Sequence, residues 1–168
     1  MGYLNHLSRF RLLPGTAAAI RRLNEAAIPV VVVTNQSGVA RGYFPEQLVR
    51  DVHERMKAEL LEAGAWLDGV YYCPHVSSDA CECRKPKTGM LKQAARELGL
   101  DLKKSFVVGD RQSDVELAHY AAARSVLVRT GFGEGELAWH AKNWAHQPEF
   151  VASDLLEAVD WILQEVQR

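Results

Sequence analysis

Apolar residues recur along this chain in two alternating rhythms, the three-and-four spacing of helices and short β-branched runs. Pro14-Gly15-Thr16 opens a helical stretch reaching about Ala27, with Ile20 and Leu23 toward a core and Arg21 and Arg22 outside. After Pro29, the run Val30-Val31-Val32-Val33 is apolar on both faces, which predicts a central parallel strand. Pro45 suits the first turn of the next helix, whose Leu48, Val52, Met56 and Leu60 fall on one stripe. Gly69–Cys73 reads as a strand, and residues 89–98 as a helix closed by Gly99. Ser105–Val108 predicts a strand running into Gly109-Asp110. A helix over 112–123 and a strand over Ser125–Arg129 follow. Gly131 to Gly135 reads as a flexible loop and Phe150-Val151 as a short strand. Ser153 is placed to cap a last helix with Leu156, Val159, Ile162, Leu163 and Val166 on its apolar side.

This β-α alternation predicts an α/β fold with a doubly wound parallel sheet. Such sheets bind ligands beyond the carboxyl ends of their strands. Three polar clusters sit at predicted strand ends or just after them: Thr34-Asn35-Gln36-Ser37, Arg84-Lys85, and Gly109-Asp110-Arg111 with Asp114. That convergence predicts an active site. Thr34 to Gly38 can end a strand as a plain turn, but a hydroxyl, side-chain amides and backbone N–H groups there can also hold phosphoryl oxygens. Arg41 can reach an anion or lie solvated. Lys85, stiffened by Pro86, supplies a compact positive charge; Arg84 supplies a planar fork for a second anion or a sugar hydroxyl. Asp110 and Asp114 are either a helix cap and a solvated carboxylate or ligands of Mg²⁺, which takes one or two carboxylates plus waters and substrate oxygens.

The chain has three cysteines, and all of them fall with one of its six histidines between Cys73 and Cys83. Cys73, His75, Cys81 and Cys83 form a tetrahedral Zn²⁺ donor set with no open position, so the predicted site is structural. Cys81 and Cys83 are too close in sequence for an ordinary disulfide, which favours a reducing compartment. His6, His53, His119, His140 and His146 read as surface or satisfied histidines, and Trp139, Trp144 and Trp161 as packing residues.

Composition narrows the function classes. The 168 residues suffice for one compact domain, 1–168, burying roughly 70% of its unfolded surface. Net charge is −1, from 20 basic and 21 acidic residues, which argues against a nucleic-acid partner. No apolar run reaches the ~18 residues of a membrane span. The first residues lack signal-peptide character, and His6 breaks the myristoylation pattern. A cytoplasmic monomer acting on a small molecule is expected.

The motifs Val33-Thr34-Asn35-Gln36-Ser37-Gly38, Tyr72-Cys73-Pro74-His75, Cys83-Arg84-Lys85-Pro86 and Val108-Gly109-Asp110-Arg111 through Asp114 together resemble the haloacid dehalogenase-like phosphatases. The resemblance covers essentially the whole chain. It implies hydrolysis of a phosphomonoester through an aspartyl-phosphate, with Mg²⁺ and structural Zn²⁺ as cofactors. It implies that Thr34 and Lys85 stabilise the transferring phosphoryl group and that Asp110 holds Mg²⁺. Asn35, Gln36, Ser37, Arg84 and Arg111 would contact a sugar phosphate, and Cys73, His75, Cys81 and Cys83 would bind zinc. The implied substrate is D-glycero-D-manno-heptose 1,7-bisphosphate, cleaved at its 7-phosphate on the way to lipopolysaccharide precursors. Histidinol phosphate is the neighbouring alternative, and a zinc-bearing module that binds sugar phosphates without hydrolysis is another. The family's opening strand, ending in Asp-x-Asp-Gly-Thr with the nucleophile, has no counterpart in these residues. A sheet lacking its first central strand, a truncated gene product and no turnover are therefore expected.

Overall fold

Five strands, all paired in parallel, are distributed over two sheets in a computed structural model that describes residues 2–168. The residues group into two compact units, one ending at Arg84 and one spanning Lys85–Arg168.

In the first unit, α1 (Thr16–Glu25) buries Ala19, Ile20 and Asn24. Asn24 acts as a clamp: its Oδ1 accepts from the Trp66 N–H at 3.0 Å and its Nδ2 donates to the Trp66 carbonyl at 3.2 Å. β1 (Val31–Asn35) pairs with β2 (Gly69–Cys73), Val31 opposite Gly69 and Asn35 opposite Cys73. At the entry to the ladder, the Val30 N–H donates to Asp68 Oδ2 at 2.7 Å and the Asp68 N–H to the Val30 carbonyl at 2.8 Å. Such reciprocal bonds fix the register, which side-chain alternation alone leaves open in a strand apolar on both faces.

The expected tetra-valine core strand is only half-buried along its length. α2 (Glu46–Glu62) buries Val49, His53 and Leu60; Leu48, Val52 and Met56 are only half-buried, and with Val49 and His53 they line a cavity of about 220 Å³. His53 is thus not a surface residue. Its ring meets Tyr72 edge-on at 5.4 Å, and burial pushes its pKa below the usual imidazole value.

The second unit is better filled. It runs through α3 (Gly89–Leu98), β3 (Phe106–Gly109), α4 (Gln112–Tyr120), β4 (Arg124–Val128), α5 (Gly133–Trp139), β5 (Phe150–Ala152) and α6 (Leu155–Val166). The strand order is β3-β4-β5, with Gly109 opposite Leu127 and Val128 opposite Ala152. Val115, Leu127, Ala141 and Trp144 form its core, joined by Leu137 and Val151.

Three expectations shift here. The segment read as a loop to Gly135 starts a helix at Gly133, and Glu134 and Glu136 in its first turn suit the positive end of the helix dipole. The cap of α6 is Asp154, whose Oδ1 accepts from the Glu157 N–H at 3.0 Å. The Ser153 N–H returns a bond to Glu157 Oε2 at 2.6 Å, so Ser153 serves through its backbone. Trp144 is buried and Trp161 stacks on Phe150 at 5.0 Å, but Trp139 is exposed and packs little. No helix of the described residues is long and apolar enough to cross a membrane.

Candidate active site

The first unit presents the Thr34 turn and the thiol loop together. Beyond β1, the Gln36 N–H donates to the Cys73 carbonyl at 2.7 Å and the Ala40 N–H to the Pro74 carbonyl at 3.3 Å, which ties the turn to the end of β2. The Gln36 side-chain amide donates to Thr34 Oγ1 at 3.1 Å. Ser37 is buried, and its hydroxyl lies 3.2 Å from the Tyr3 hydroxyl. The Tyr3 ring meets Tyr43 and Phe44 edge-on at 5.2 and 6.1 Å. Its phenol is held below the ordinary tyrosine value, first by the Ser37 bond and further by the charges of Arg41 and Arg84.

Cys73, His75, Cys81 and Cys83 bring their ligand atoms within 4.8 Å of one another. Sulfur separations are 3.6 Å (Cys73–Cys81), 3.0 Å (Cys73–Cys83) and 3.5 Å (Cys81–Cys83), and His75 Nδ1 lies 3.3 Å from Cys83 Sγ. Zinc–thiolate bonds of ~2.3 Å set tetrahedral edges of about 3.8 Å, so two sulfur edges need to spread by a few tenths of an ångström and the Cys73–Cys83 edge by about 0.8 Å to take the ion. Three thiols and one imidazole fit Zn²⁺ chemically, and none is left over to hold a substrate. Burial pushes the Cys73 thiol up to about 12 and raises Cys83 as well. Cys81 is drawn down to about 7: burial opposes that shift, but the Arg84 backbone and its two thiol neighbours outweigh it. Arg84 is fixed to the same loop, Nη1 donating to the His75 carbonyl at 3.2 Å.

The second unit presents the Lys85 and Asp110 groups. Lys85 Nζ lies 2.7 Å from Asp114 Oδ1, and both side chains are largely buried. Asp114 is therefore not a solvated carboxylate. Its other oxygen accepts from the Arg111 N–H at 3.2 Å. This approach requires Gly109, because a Cβ there would overlap the Asp114 carboxylate. Asp110, half-buried at the end of β3, accepts from the Phe132 N–H through Oδ2 at 2.8 Å. Its Oδ1 has no partner among the described residues, which leaves one anionic oxygen available to a hard cation. The arrangement is a fixed ammonium, a carboxylate with an open oxygen and a guanidinium, all suited to an oxyanion and its metal.

The haloacid dehalogenase-like hydrolase family profile matches residues 3–119, and a second, HAD-hydrolase-like profile matches residues 82–158. The chain belongs to the haloacid dehalogenase-like hydrolases. It is 42% identical to a D-glycero-D-manno-heptose-1,7-bisphosphate 7-phosphatase from Thermosynechococcus vestitus, over 96% of this chain and 88% of that protein. The D-glycero-beta-D-manno-heptose-1,7-bisphosphate 7-phosphatase of Haemophilus influenzae is 43% identical over 80% of this chain and 79% of its own. Among solved structures, the D,D-heptose 1,7-bisphosphate phosphatase of B. bronchiseptica, complexed with magnesium and phosphate, superposes with a TM-score of 0.87. That match has 36% identity over 97% of this chain and 89% of that chain. The parallel α/β architecture inferred from the hydrophobic pattern is the family's fold.

Within this haloacid dehalogenase-like chain, three features escaped the sequence reading. The Lys85–Asp114 pair joins residues far apart in sequence, and no local pattern announces it. Tyr3 lies close to Arg41 and Arg84 with no motif around it. Phe132 places its ring beneath Arg111, 3.7 Å from Cζ to the ring centroid. An exposed aromatic flanked by Gly131 and Gly133 was the one available hint.

Proposed function

We propose that this chain recognises D-glycero-D-manno-heptose 1,7-bisphosphate and belongs to the machinery that hydrolyses its 7-phosphate. The observation that carries this reading is the 40–43% identity to 7-phosphatases of that sugar from three bacteria, each aligned over 80–96% of the chain. Histidinol phosphate finds no comparable support. Thr34 contributes its hydroxyl, and Asn35, Gln36 and Ser37 the donors of the turn that carries it. Lys85 places positive charge against the phosphoryl oxygens, with Asp114 fixing the ammonium. Arg84 and Arg111 contact the sugar phosphate. Asp110 holds Mg²⁺, which would supply charge neutralisation at the phosphate, and Cys73, His75, Cys81 and Cys83 hold Zn²⁺ as a cross-link. The clustered free thiols suit a cytoplasmic setting, and a monomer is the expected assembly.

Hydrolysis through a covalent phosphoenzyme needs a carboxylate besides the metal ligand. Asp114 is committed to Lys85, Asp68 to the Val30 N–H, Asp51 to the Gln47 amide, Asp79 to the Val76 N–H, and Asp101 and Asp154 to helix caps, while Asp160 lies within α6. We infer that these 168 residues alone bind the substrate without turning it over. The test is side-by-side titration with the heptose bisphosphate and histidinol phosphate in Mg²⁺, with inorganic phosphate release followed in parallel. Saturable binding of the heptose compound, weaker binding of histidinol phosphate and no release are expected. A preference for histidinol phosphate would overturn the substrate, and Mg²⁺-dependent release would overturn the inference about turnover.

A further inference from the structure

Asp110 and Arg111 are consecutive, and one residue on another loop engages both. The Phe132 N–H donates to Asp110 Oδ2 at 2.8 Å, while its ring lies 3.7 Å from the Arg111 guanidinium carbon. The first contact is made by backbone and the second by side chain, so they can be separated by substitution. The loop comes this close because of its glycines. Gly131 adopts a φ of 65°, and a Cβ there would meet the Asp110 carboxylate; a Cβ on Gly133 would meet the Val128 carbonyl. Phe132 is 36% exposed, so burial in a core does not account for a large aromatic at this position. Arg111 is exposed as well, and among the described residues its guanidinium has no carboxylate partner. A long cationic side chain in that situation ordinarily samples many rotamers. Here an aromatic face takes one side of the guanidinium plane and leaves the N–H edges for a ligand.

We propose that Phe132 is a positioning residue for substrate recognition. Its ring holds the Arg111 guanidinium in the orientation that meets the oxygens of the sugar phosphate, and its N–H independently orients Asp110. The inference rests on the reading that Arg111 contacts the heptose bisphosphate, and it adds the residue that pre-arranges that contact. Ordering Arg111 before the ligand arrives removes part of the entropic cost of binding.

The test is calorimetric titration of the full chain with D-glycero-D-manno-heptose 1,7-bisphosphate in Mg²⁺. The proteins are wild type, Arg111→Ala, Phe132→Ala, Phe132→Leu, Phe132→Tyr and the Arg111→Ala/Phe132→Ala double variant. Loss of a charge-assisted contact in Arg111→Ala should weaken binding roughly 10-fold or more. Phe132→Ala and Phe132→Leu should each weaken it about 2–5-fold, the range of an exposed cation–π contact. Phe132→Tyr keeps the π face and should bind like wild type. In the Arg111→Ala background, Phe132→Ala should add nothing, and its Mg²⁺ affinity should be unchanged because the N–H remains. If Arg111→Ala binds normally, the functional reading of Arg111 fails and this inference with it. If Arg111→Ala is weakened but Phe132→Ala and Phe132→Leu bind like wild type, this inference alone fails. Additive losses in the double variant would likewise overturn it, since Phe132 would then act independently of Arg111.

Discussion

β1 and β4 carry comparable apolar side chains and reach different environments. All of β1 is half-buried, whereas Ser125 to Val128 of β4 are buried. Within its sheet β4 has β3 on one side and β5 on the other; β1 pairs in its own sheet with β2. A run of valines thus predicts a strand, but its burial depends on what lies beside and above it. The two units hold themselves together differently as a result. The second relies on close packing around Leu127, Val115 and Trp144. The first combines a modest core with directional contacts: the Asn24 clamp, the Asp68 register bond and the thiol cluster at the end of β2.

Metal removal should separate the two units most. Chelation, or Cys83→Ser, withdraws a cross-link of the kind that supplies ~10 kcal/mol or more in small zinc domains. Protease cleavage within residues 73–86 should rise on the order of 10-fold while cleavage beyond residue 86 stays constant. Elemental analysis should find about one zinc per chain. Unchanged resistance of the loop after chelation would remove the cross-link from the account.

Next in size is the ion pair of the second unit. Lys85→Ala leaves the Asp114 carboxylate buried without its partner and should cost ~3–5 kcal/mol in urea denaturation. Adding Asp114→Ala should recover part of that loss, and the two single costs should not sum. Additivity would mean that the pair is not coupled.

Smaller still, and aimed at the strands themselves, are two truncations. Leu127→Ala in β4 should cost ~2–5 kcal/mol by opening a cavity in a filled core. Val32→Ala in β1 removes two half-buried methyl groups and should cost about 1 kcal/mol or less. Equal costs would show that β1 is as well packed as β4.

Much of this was readable from residue order. The strands at Gly69–Cys73 and Phe106–Gly109 and the helix closed by Gly99 follow local rules, and the structure places them within about a residue of the pattern. The four zinc donors are near neighbours in sequence, so their convergence needs little help from the fold. What resisted reading depends on distant partners. The Lys85–Asp114 bond spans a helix and a strand, and the expected stripe of α2 keeps Leu60 but otherwise turns by one residue to Val49 and His53, a rotation set by what packs beside the helix. Ser37 was readable as a turn residue but not as the partner of Tyr3.

The central claim is that Thr34 and Lys85 serve recognition of a heptose bisphosphate. Equilibrium titration of that sugar into the Mg²⁺-loaded chain, compared with Thr34→Val and Lys85→Met, tests it most directly. Saturable binding by the unaltered protein, weakened roughly 10-fold or more in each variant, is the predicted result. No binding, or the same affinity in all three folded proteins, would contradict it.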